Sequence, residues 1–265
     1  MEHINFAFVA DQNQIDRLAP LIRSLEFFHH ACCPEYYVLT APNVDHTSLE
    51  ASLGSVQGRL HFLVDPDPIV EHYFAFDRVT EATFLKISLF RYLPREVGRF
   101  LYCDIDMVCN GTLIEAWDSL KEHAFCAVPS PWTCLLDENG IWNPVPGKHI
   151  ICPGFFGANR TLAGDVYGKA KAYVESKPLS DQTGEIDALC SVMGTDFFPL
   201  PQYYQFCVSF VTDNRTFNQC KFQRYLEICT LQNIRLIHYV GKQKPWNSAT
   251  LYYKEWNKWK QPAEQ

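Results

Sequence analysis

Residues 101–108 read Leu101-Tyr102-Cys103-Asp104-Ile105-Asp106-Met107-Val108, an apolar run that delivers two carboxylates one residue apart. The apolar part predicts a buried strand over residues 99–103 that runs into Asp104. Because side chains alternate along an extended chain, Asp104 and Asp106 lie on the same side. Two carboxylates this close repel each other unless a cation lies between them, and oxygen ligands suit Mn²⁺ or Mg²⁺. The stretch therefore predicts a metal site, although two solvated turn carboxylates are the alternative interpretation.

The residues before this stretch alternate between strand and helix patterns. Short apolar runs predict strands, and apolar residues at helical spacing predict helices. The predicted strands are 4–10, 36–40 and 61–64, and the predicted helices are 14–29, 47–53 and 80–92. This alternation is typical of βαβ units, so we predict an α/β fold with a mostly parallel sheet flanked by helices. Ligands of such sheets bind beyond the carboxyl ends of the strands, where Asp11 and Asp104 lie.

The second half of the chain is less regular. Its proline-rich residues 129–153 predict a long loop, and Trp132, Trp142 and His149 within that loop favour a functional role. Further strands are predicted at 155–158 and 234–239, and a further helix at 161–176. We expect one domain over residues 1–265, with an aromatic-basic tail over residues 251–265.

Composition limits the functional classes. The chain has 265 residues, 47% of them hydrophobic and 20% charged, which excludes a disordered chain. Its net charge of −7 argues against a nucleic-acid partner, which needs a basic surface. No apolar run reaches the roughly 18–20 residues of a membrane span, and no secretory signal is visible, so we expect a cytoplasmic protein. Its 11 cysteines include no C-x-x-C pair, which predicts reduced thiols rather than a zinc ribbon.

The stretch Leu251–Lys260 interleaves aromatic side chains with lysines. Aromatic residues favour a membrane interface and lysines favour anionic lipid, so this stretch predicts peripheral contact with the inner face of a membrane. The alternative is a tail that packs on the domain.

A second motif follows the predicted strand 234–239. It reads His238-Tyr239-Val240-Gly241-Lys242-Gln243-Lys244-Pro245-Trp246. Histidine is a good ligand for Mn²⁺, Gly241 lets the backbone approach a bound group, and Lys242 and Lys244 can reach phosphate oxygens. Taken alone, the motif is also compatible with an ordinary turn that carries two lysines.

Together, the D-x-D pair and the H-x-x-G-x-x-K-P-W motif resemble glycosyltransferase family 8. The resemblance implies a GT-A fold, which is a Rossmann-like mixed sheet, and a UDP-sugar donor, Mn²⁺ and retention of the anomeric configuration. It implies metal ligands at Asp104, Asp106 and His238, uridine contacts at Ala10, Asp11 and Asn13, and donor contacts at Lys86, Ile105, Gly241 and Lys244. The catalytic residues that it implies are Asp104, Asp106, Lys86 and Asp187. It also implies that residues 1–110 are a nucleotide-binding half of the domain and residues 111–250 a half for donor sugar and acceptor.

One region departs from the family pattern. Where the family reads D-Q-D, this chain has Glu185-Ile186-Asp187, although an upstream Asp181-Gln182 offers another alignment. The family's glutamine lies on the far face of the donor sugar, and Ile186 cannot act there as a nucleophile or acceptor. The family's Asn-Ala-Gly segment likewise appears as Pro153-Gly154-Phe155-Phe156-Gly157-Ala158-Asn159.

We therefore predict a metal-dependent retaining glycosyltransferase. It would move a hexose from UDP-glucose or UDP-galactose to a glycan, a lipopolysaccharide or another glycoconjugate. One alternative is a non-catalytic module that binds nucleotide sugars. Another is a haloacid-dehalogenase-type phosphohydrolase, whose D-x-D-x-[TV] motif fits residues 104–108, but that motif normally follows the first strand of its sheet.

Overall fold

A computed structural model of the chain describes residues 3–54, 56–67, 84–130, 134–136, 142–144, 151–176, 185–209, 219–241, 244–247 and 250–260. Its strands, in chain order, are β1 (Asn5–Ala10), β2 (Glu35–Thr40), β3 (Arg59–Val64), β4 (Arg99–Cys103), β5 (Met107–Cys109), β6 (Phe125–Pro129), β7 (Cys134–Leu136), β8 (Trp142–Pro144), β9 (Ile151–Asn159), β10 (Phe198–Pro199), β11 (Phe206–Cys207) and β12 (Leu236–His238). Its α-helices are α1 (Ala19–His29), α2 (Thr47–Leu53), α3 (Leu85–Tyr92), α4 (Ile114–Ser119), α5 (Arg160–Ala163), α6 (Val166–Glu175), α7 (Glu185–Met193), α8 (Gln219–Ile228) and α9 (Tyr253–Lys258).

The main sheet has seven strands in the order β10-β6-β9-β4-β1-β2-β3. β4, β1, β2 and β3 run parallel to one another, whereas β9 lies antiparallel to both β4 and β6. The predicted fold class, a mixed and mostly parallel sheet flanked by helices, is confirmed. β4 is central, so the carboxylates that follow it emerge in the middle of the edge at which the parallel strands end.

The two faces of the sheet bury separate apolar layers. Along β1, Phe6 and Phe8 pack in one layer with α1, whereas Ala7 and Val9 pack in the other with α3. In β4, the buried Tyr102 belongs to the α3 layer, and its ring lies 5.0 Å from that of Phe156. Because the side chains of a strand alternate, Asp104 continues on the face of α3.

Two predicted helices are interrupted. The pattern over 14–29 forms a 3₁₀ turn, Ile15–Leu18, before α1, because Pro20 in the first turn of α1 has no N–H to donate to the preceding turn. The pattern over 161–176 splits into α5 and α6. Gly164, at φ 67°, ends α5, and the Asp165 side chain caps α6 by accepting from the Gly168 N–H at 2.8 Å. Of the predicted helix 80–92, residues 80–83 lie outside the described part.

The predicted long loop, 129–153, is wrong for the described part of that segment. β7 and β8 pair antiparallel there, and β9 already begins at Ile151. Strands of three residues are too short for a period-2 pattern, which is why the sequence showed only prolines and glycines. Trp132 and His149 lie outside the described residues, and Trp142 lies in β8.

A second sheet of three short strands, β11-β12-β5, adjoins the carboxyl end of β4. β12 pairs antiparallel with β5, with His238 opposite Met107, and parallel with β11, with His238 opposite Cys207. Among the described helices, none is long and apolar enough to cross a membrane.

Candidate functional site

The two aspartates form the turn between β4 and β5. The Asp104 N–H donates to the Gly154 carbonyl of β9 at 2.8 Å, and the Asp106 carbonyl accepts from the Tyr239 N–H at 2.9 Å. Ile105, between the aspartates, is buried. The turn is therefore fixed on one side by the main sheet and on the other by the segment after β12.

Strand pairing brings the distant histidine to this turn. Because His238 lies opposite Met107, its ring reaches the two carboxylates. Its Nε2 lies 3.1 Å from Asp106 Oδ1 and 3.7 Å from Asp104 Oδ2. One donor atom from each of the three residues lies within 4.8 Å of the others, and the structure thus joins the three predicted metal ligands.

Each carboxylate directs one oxygen to this centre and the other to a lysine. Asp104 Oδ1 lies 3.0 Å from Lys86 Nζ and accepts from the Tyr102 hydroxyl at 2.5 Å. Asp106 Oδ2 accepts from Lys244 Nζ. The centre is left with two carboxylate oxygens and one imidazole nitrogen, and ammonium groups flank it on two sides.

This donor set fits a hard divalent cation such as Mn²⁺ or Mg²⁺. Asp106 and His238 are buried, with 8% and 5% of their surface exposed, and Asp104 is half-buried. Burial alone would raise the pKa of Asp106, but His238 and Lys244 hold that pKa well below its ordinary value. The Asp106 carboxylate is therefore ionised at neutral pH, as a metal ligand must be.

The two lysines are held firmly. Lys86 is a buried residue of α3, and its Nζ lies 5.3 Å from the centroid of the Tyr102 ring. Lys244 is half-buried and also donates to the Tyr239 carbonyl at 2.9 Å. Gly241, between that carbonyl and Lys244, adopts φ 97°, a left-handed conformation that a residue with a Cβ rarely takes. Lys242 lies outside the described residues.

The predicted uridine residues follow β1, the parallel neighbour of β4. Ala10 is buried at the end of β1, and Asp11 and Asn13 form the turn after it. The Asp11 side chain accepts from the Asn13 N–H at 2.9 Å, and its carbonyl accepts from the N–H groups of Gln14 and Ile15. β1 and β4 end at the same sheet edge, which brings this turn next to the Asp104–Asp106 turn.

The segment after β12 docks on the β1 side through Trp246. The Arg17 guanidinium lies 4.6 Å from the centroid of this indole, and the Trp256 ring lies at 5.5 Å. These contacts make Trp246 a packing residue of the domain.

The departure at 185–187 lies in the first turn of α7. Ile186 and Asp187 are half-buried there, and α7 packs against α3, the helix that carries Lys86. Asp181 and Gln182 lie outside the described residues. The catalytic role of Asp187 stays a prediction.

Three further residues, which the sequence analysis did not indicate, contact this centre. They are Tyr102, which donates to Asp104, Gln205, whose amide contacts His238, and Gly154. A Cβ on Gly154 would lie 2.5 Å from His238 Cε1 and 2.7 Å from the Met107 methyl carbon. Tyr102 could have been found, since alternation puts it on the face of Asp104, whereas the other two come into contact only through strand pairing. Asn159, the last residue of the segment that departs from the family, caps α5.

The mostly parallel sheet carries a D-x-D turn at its centre, a histidine from the second sheet and two flanking lysines. This arrangement is that of a glycosyltransferase with the GT-A fold. The model of the family described as Glycosyl transferase family 8 matches residues 61–250. The chain belongs to this family. The comparison with curated proteins finds no match.

Solved glycosyltransferase structures share the fold. The galactosyltransferase LgtC, in complex with donor and acceptor sugar analogues, superposes with a TM-score of 0.76 at 17% identity over 97% of this chain and 95% of LgtC. GlyE of Streptococcus pneumoniae gives 0.70 at 18% identity over 98% of this chain and 60% of GlyE. Mouse xyloside xylosyltransferase 1 gives 0.62 at 14% identity over 90% of this chain and 98% of that protein.

Proposed function

We propose that this protein is a metal-dependent retaining glycosyltransferase that moves a hexose from a UDP-sugar to a carbohydrate acceptor. The observation that carries the proposal is the convergence of Asp104, Asp106 and His238 between Lys86 and Lys244. Membership of family 8 favours this function over the phosphohydrolase alternative.

The reaction breaks the bond between the anomeric carbon of the donor and its diphosphate, so negative charge builds on the diphosphate. A divalent ion, Mn²⁺ or Mg²⁺, held by Asp104, Asp106 and His238 would act as a Lewis acid toward this charge. Lys244 and Lys86 would add ammonium groups on either side of the centre. Both lysines bond to the ligand carboxylates in the structure, and Lys244 would turn from Asp106 toward the diphosphate when the donor binds.

The donor would lie along the sheet edge that β1 and β4 share. In this proposal Ala10, Asp11 and Asn13 hold the uridine, and Ile105 and Gly241 line the path to the diphosphate. Residues 1–110 then bind the nucleotide, residues 111–250 bind donor sugar and acceptor, and the chain is one domain. We propose UDP-glucose or UDP-galactose as donor and an oligosaccharide or glycoconjugate as acceptor, because LgtC, which has the same fold, is a galactosyltransferase.

We propose retention by a front-side route. Retention by double displacement needs a nucleophile on the far face of the sugar, which Ile186 cannot supply. In the front-side route the acceptor hydroxyl approaches on the face from which the diphosphate leaves, and a diphosphate oxygen takes its proton. This route needs charge stabilisation and positioning, which the lysines and the donor set supply. NMR coupling at the anomeric proton of the product should show an α linkage, and a β linkage would contradict the proposal.

We also propose a cytoplasmic enzyme whose tail makes electrostatic contact with anionic lipid. Packing supports only part of this proposal. Trp256 is buried against Tyr239, and Trp259 lies 5.3 Å from the Phe27 ring, so these aromatic side chains pack on the domain. Lys254 and the remaining tail lysines are exposed. Removal of residues 251–265 should weaken binding to anionic vesicles, and equal binding by both chains would refute the contact.

UDP release tests the function directly. The wild type should hydrolyse UDP-glucose or UDP-galactose slowly without an acceptor and should transfer the hexose when glycan acceptors are added. Release should require Mn²⁺ or Mg²⁺. A chain that binds a UDP-sugar but releases no UDP under any of these conditions would instead be the non-catalytic module.

A further inference from the structure

We propose that Gln205 is a positioning residue that sets the tautomer of His238 for metal binding, through rotation of its side-chain amide. The inference rests on the proposed metal site. It extends that site to a residue that contacts His238 Nδ1 and none of the three atoms that would bind the metal. It concerns the ring nitrogen of His238 that faces away from the carboxylates.

The Gln205 amide lies against that nitrogen. Gln205 precedes β11, only 1% of its surface is exposed, and its amide nitrogen lies 2.8 Å from His238 Nδ1. The Cys207 sulfur lies 3.9 Å from the same Nδ1. The Gln205 amide oxygen is buried and has no hydrogen-bond partner in the described structure. One amide atom is thus engaged with the histidine while the other lacks a partner.

The orientation of this amide fixes the proton on the ring. With the NH₂ group facing Nδ1, that nitrogen can only accept, so a neutral imidazole in this arrangement carries its proton on Nε2, which lies 3.1 Å from Asp106 Oδ1. A metal on Nε2 needs the opposite tautomer, with the proton on Nδ1. An Nδ1–H group would then face the NH₂ group of Gln205, donor against donor.

A half-turn of the amide resolves this conflict. The turn exchanges the amide oxygen and nitrogen at nearly unchanged positions, so the oxygen accepts from Nδ1–H and the NH₂ group takes the place in which the oxygen had no partner. Oxygen and nitrogen have nearly the same size and shape in such a group, so the exchange needs no repacking. The amide therefore has one orientation that matches a direct hydrogen bond between His238 Nε2 and Asp106 and another that matches a metal on Nε2.

The packing around His238 and Gln205 leaves rotation of the Gln205 amide as the adjustment that is available. A Cβ on Gly154 would lie 2.5 Å from His238 Cε1 and 2.8 Å from Gln205 Nε2, so β9 is in close contact with both groups. The pairing of Cys207 with His238 fixes the backbone on the other side. The ring and the amide are thus confined in place while the amide can still turn.

The test compares two buried glutamines. Gln202 is 2% exposed, donates to the Pro129 carbonyl at 2.7 Å and also has a buried oxygen without a partner in the described structure, which makes it a matched control. Mn²⁺ binding is measured by electron paramagnetic resonance without donor. Gln205→Leu should weaken binding by at least about tenfold, as loss of an outer-shell partner typically does. Gln205→Glu, whose carboxylate presents an acceptor in either orientation, should bind Mn²⁺ at least as tightly as the wild type. Gln202→Leu should bind Mn²⁺ as tightly as the wild type.

A second measurement needs no variant at position 205. In ¹⁵N NMR of histidine-labelled protein, with the His238 signal identified by its loss in His238→Gln, the proton should lie on Nε2 without metal and on Nδ1 with Mg²⁺. A proton on Nδ1 already without metal, or Mn²⁺ affinity in a folded Gln205→Leu equal to that of the wild type, would overturn the role of Gln205 alone. A proton that stays on Nε2 when Mg²⁺ binds would overturn both this inference and His238 as a metal ligand. No Mn²⁺ or Mg²⁺ binding by the wild type would overturn both this inference and the proposed function.

Discussion

Gly154 is in contact with His238 along a side of the ring where no methyl group fits. A Cβ at this position would come within 2.5 Å of His238 Cε1 and within 2.8 Å of the Gln205 amide nitrogen. The neighbouring Gly154 carbonyl accepts from the Asp104 N–H, so one residue of β9 fixes both an aspartate and the histidine. The candidate metal centre thus depends on the main sheet for its shape as well as on the three residues that would hold the ion.

Gly154→Ala should therefore displace His238. We expect Mn²⁺ affinity to fall by at least about tenfold and the free energy of unfolding to fall by about 1–3 kcal/mol, as overpacking does. Metal titration and thermal unfolding measure the two effects. Gly98→Ala is the control, because a Cβ there meets nothing within 4 Å. Mn²⁺ affinity in Gly154→Ala equal to that of the wild type would contradict this, because it would mean that the His238 ring can accommodate a methyl group.

Lys244→Met should separate metal binding from catalysis. Lys244 bonds the Asp106 oxygen that faces away from the centre, so its removal leaves the three donor atoms in place. UDP release should fall by about 10²-fold through lost charge stabilisation, while Mn²⁺ affinity is kept or becomes tighter. Lys121→Met, at an exposed site, should change neither. Parallel losses of metal affinity and activity in Lys244→Met would mean that this lysine only supports the fold of the centre.

His29 should make stability fall in mild acid. It is buried, its Nδ1 lies 2.8 Å from the Leu25 carbonyl, and its Nε2 accepts from the Leu113 N–H at 2.9 Å, a pattern that suits only the neutral ring. Burial lowers its pKa below the ordinary 6.5, although the bond to Leu25 opposes this shift. In mild acid, His29 is therefore protonated more readily in the unfolded chain than in the folded chain. The free energy of unfolding decreases as pH falls below 6.5.

Denaturant titrations between pH 7 and pH 5 measure this effect. His29→Gln should flatten the fall in unfolding free energy, whereas the exposed neighbour variant His30→Gln should keep the slope of the wild type. An equally steep slope in His29→Gln would assign the acid sensitivity to other groups.

The sequence predicted the features of the fold that repeat along the chain. Apolar runs such as 36–40 marked the parallel strands, and the D-x-D pair followed the strand on which the structure places it. The proximity of His238 to Asp106 came from the family resemblance, because the β5–β12 pair that joins them has strands of three residues each. Strands this short show no alternation of apolar and polar residues from which they could be predicted. Gln205 and Gly154 reach the centre only through these pairings, so no local pattern could have indicated them.

The helix interruptions are a different case. Pro20 and Gly164 were visible in the sequence, and both residues are known to break or restart a helix. The apolar spacing continues across both residues and by itself predicts one unbroken helix in each case. In both places the backbone rule decided the structure.

In the proposed function, Asp104, Asp106 and His238 hold the ion on which transfer depends. The most direct measurement is UDP release from the preferred UDP-sugar, with Mn²⁺ and with EDTA, for the wild type, Asp106→Asn and the exposed-site control Asp118→Asn. We predict release by the wild type and Asp118→Asn only with Mn²⁺, and at least about 10²-fold less release by Asp106→Asn, since a missing ligand removes several kcal/mol of charge stabilisation. Full activity of the wild type in EDTA would contradict a role of the ion in transfer.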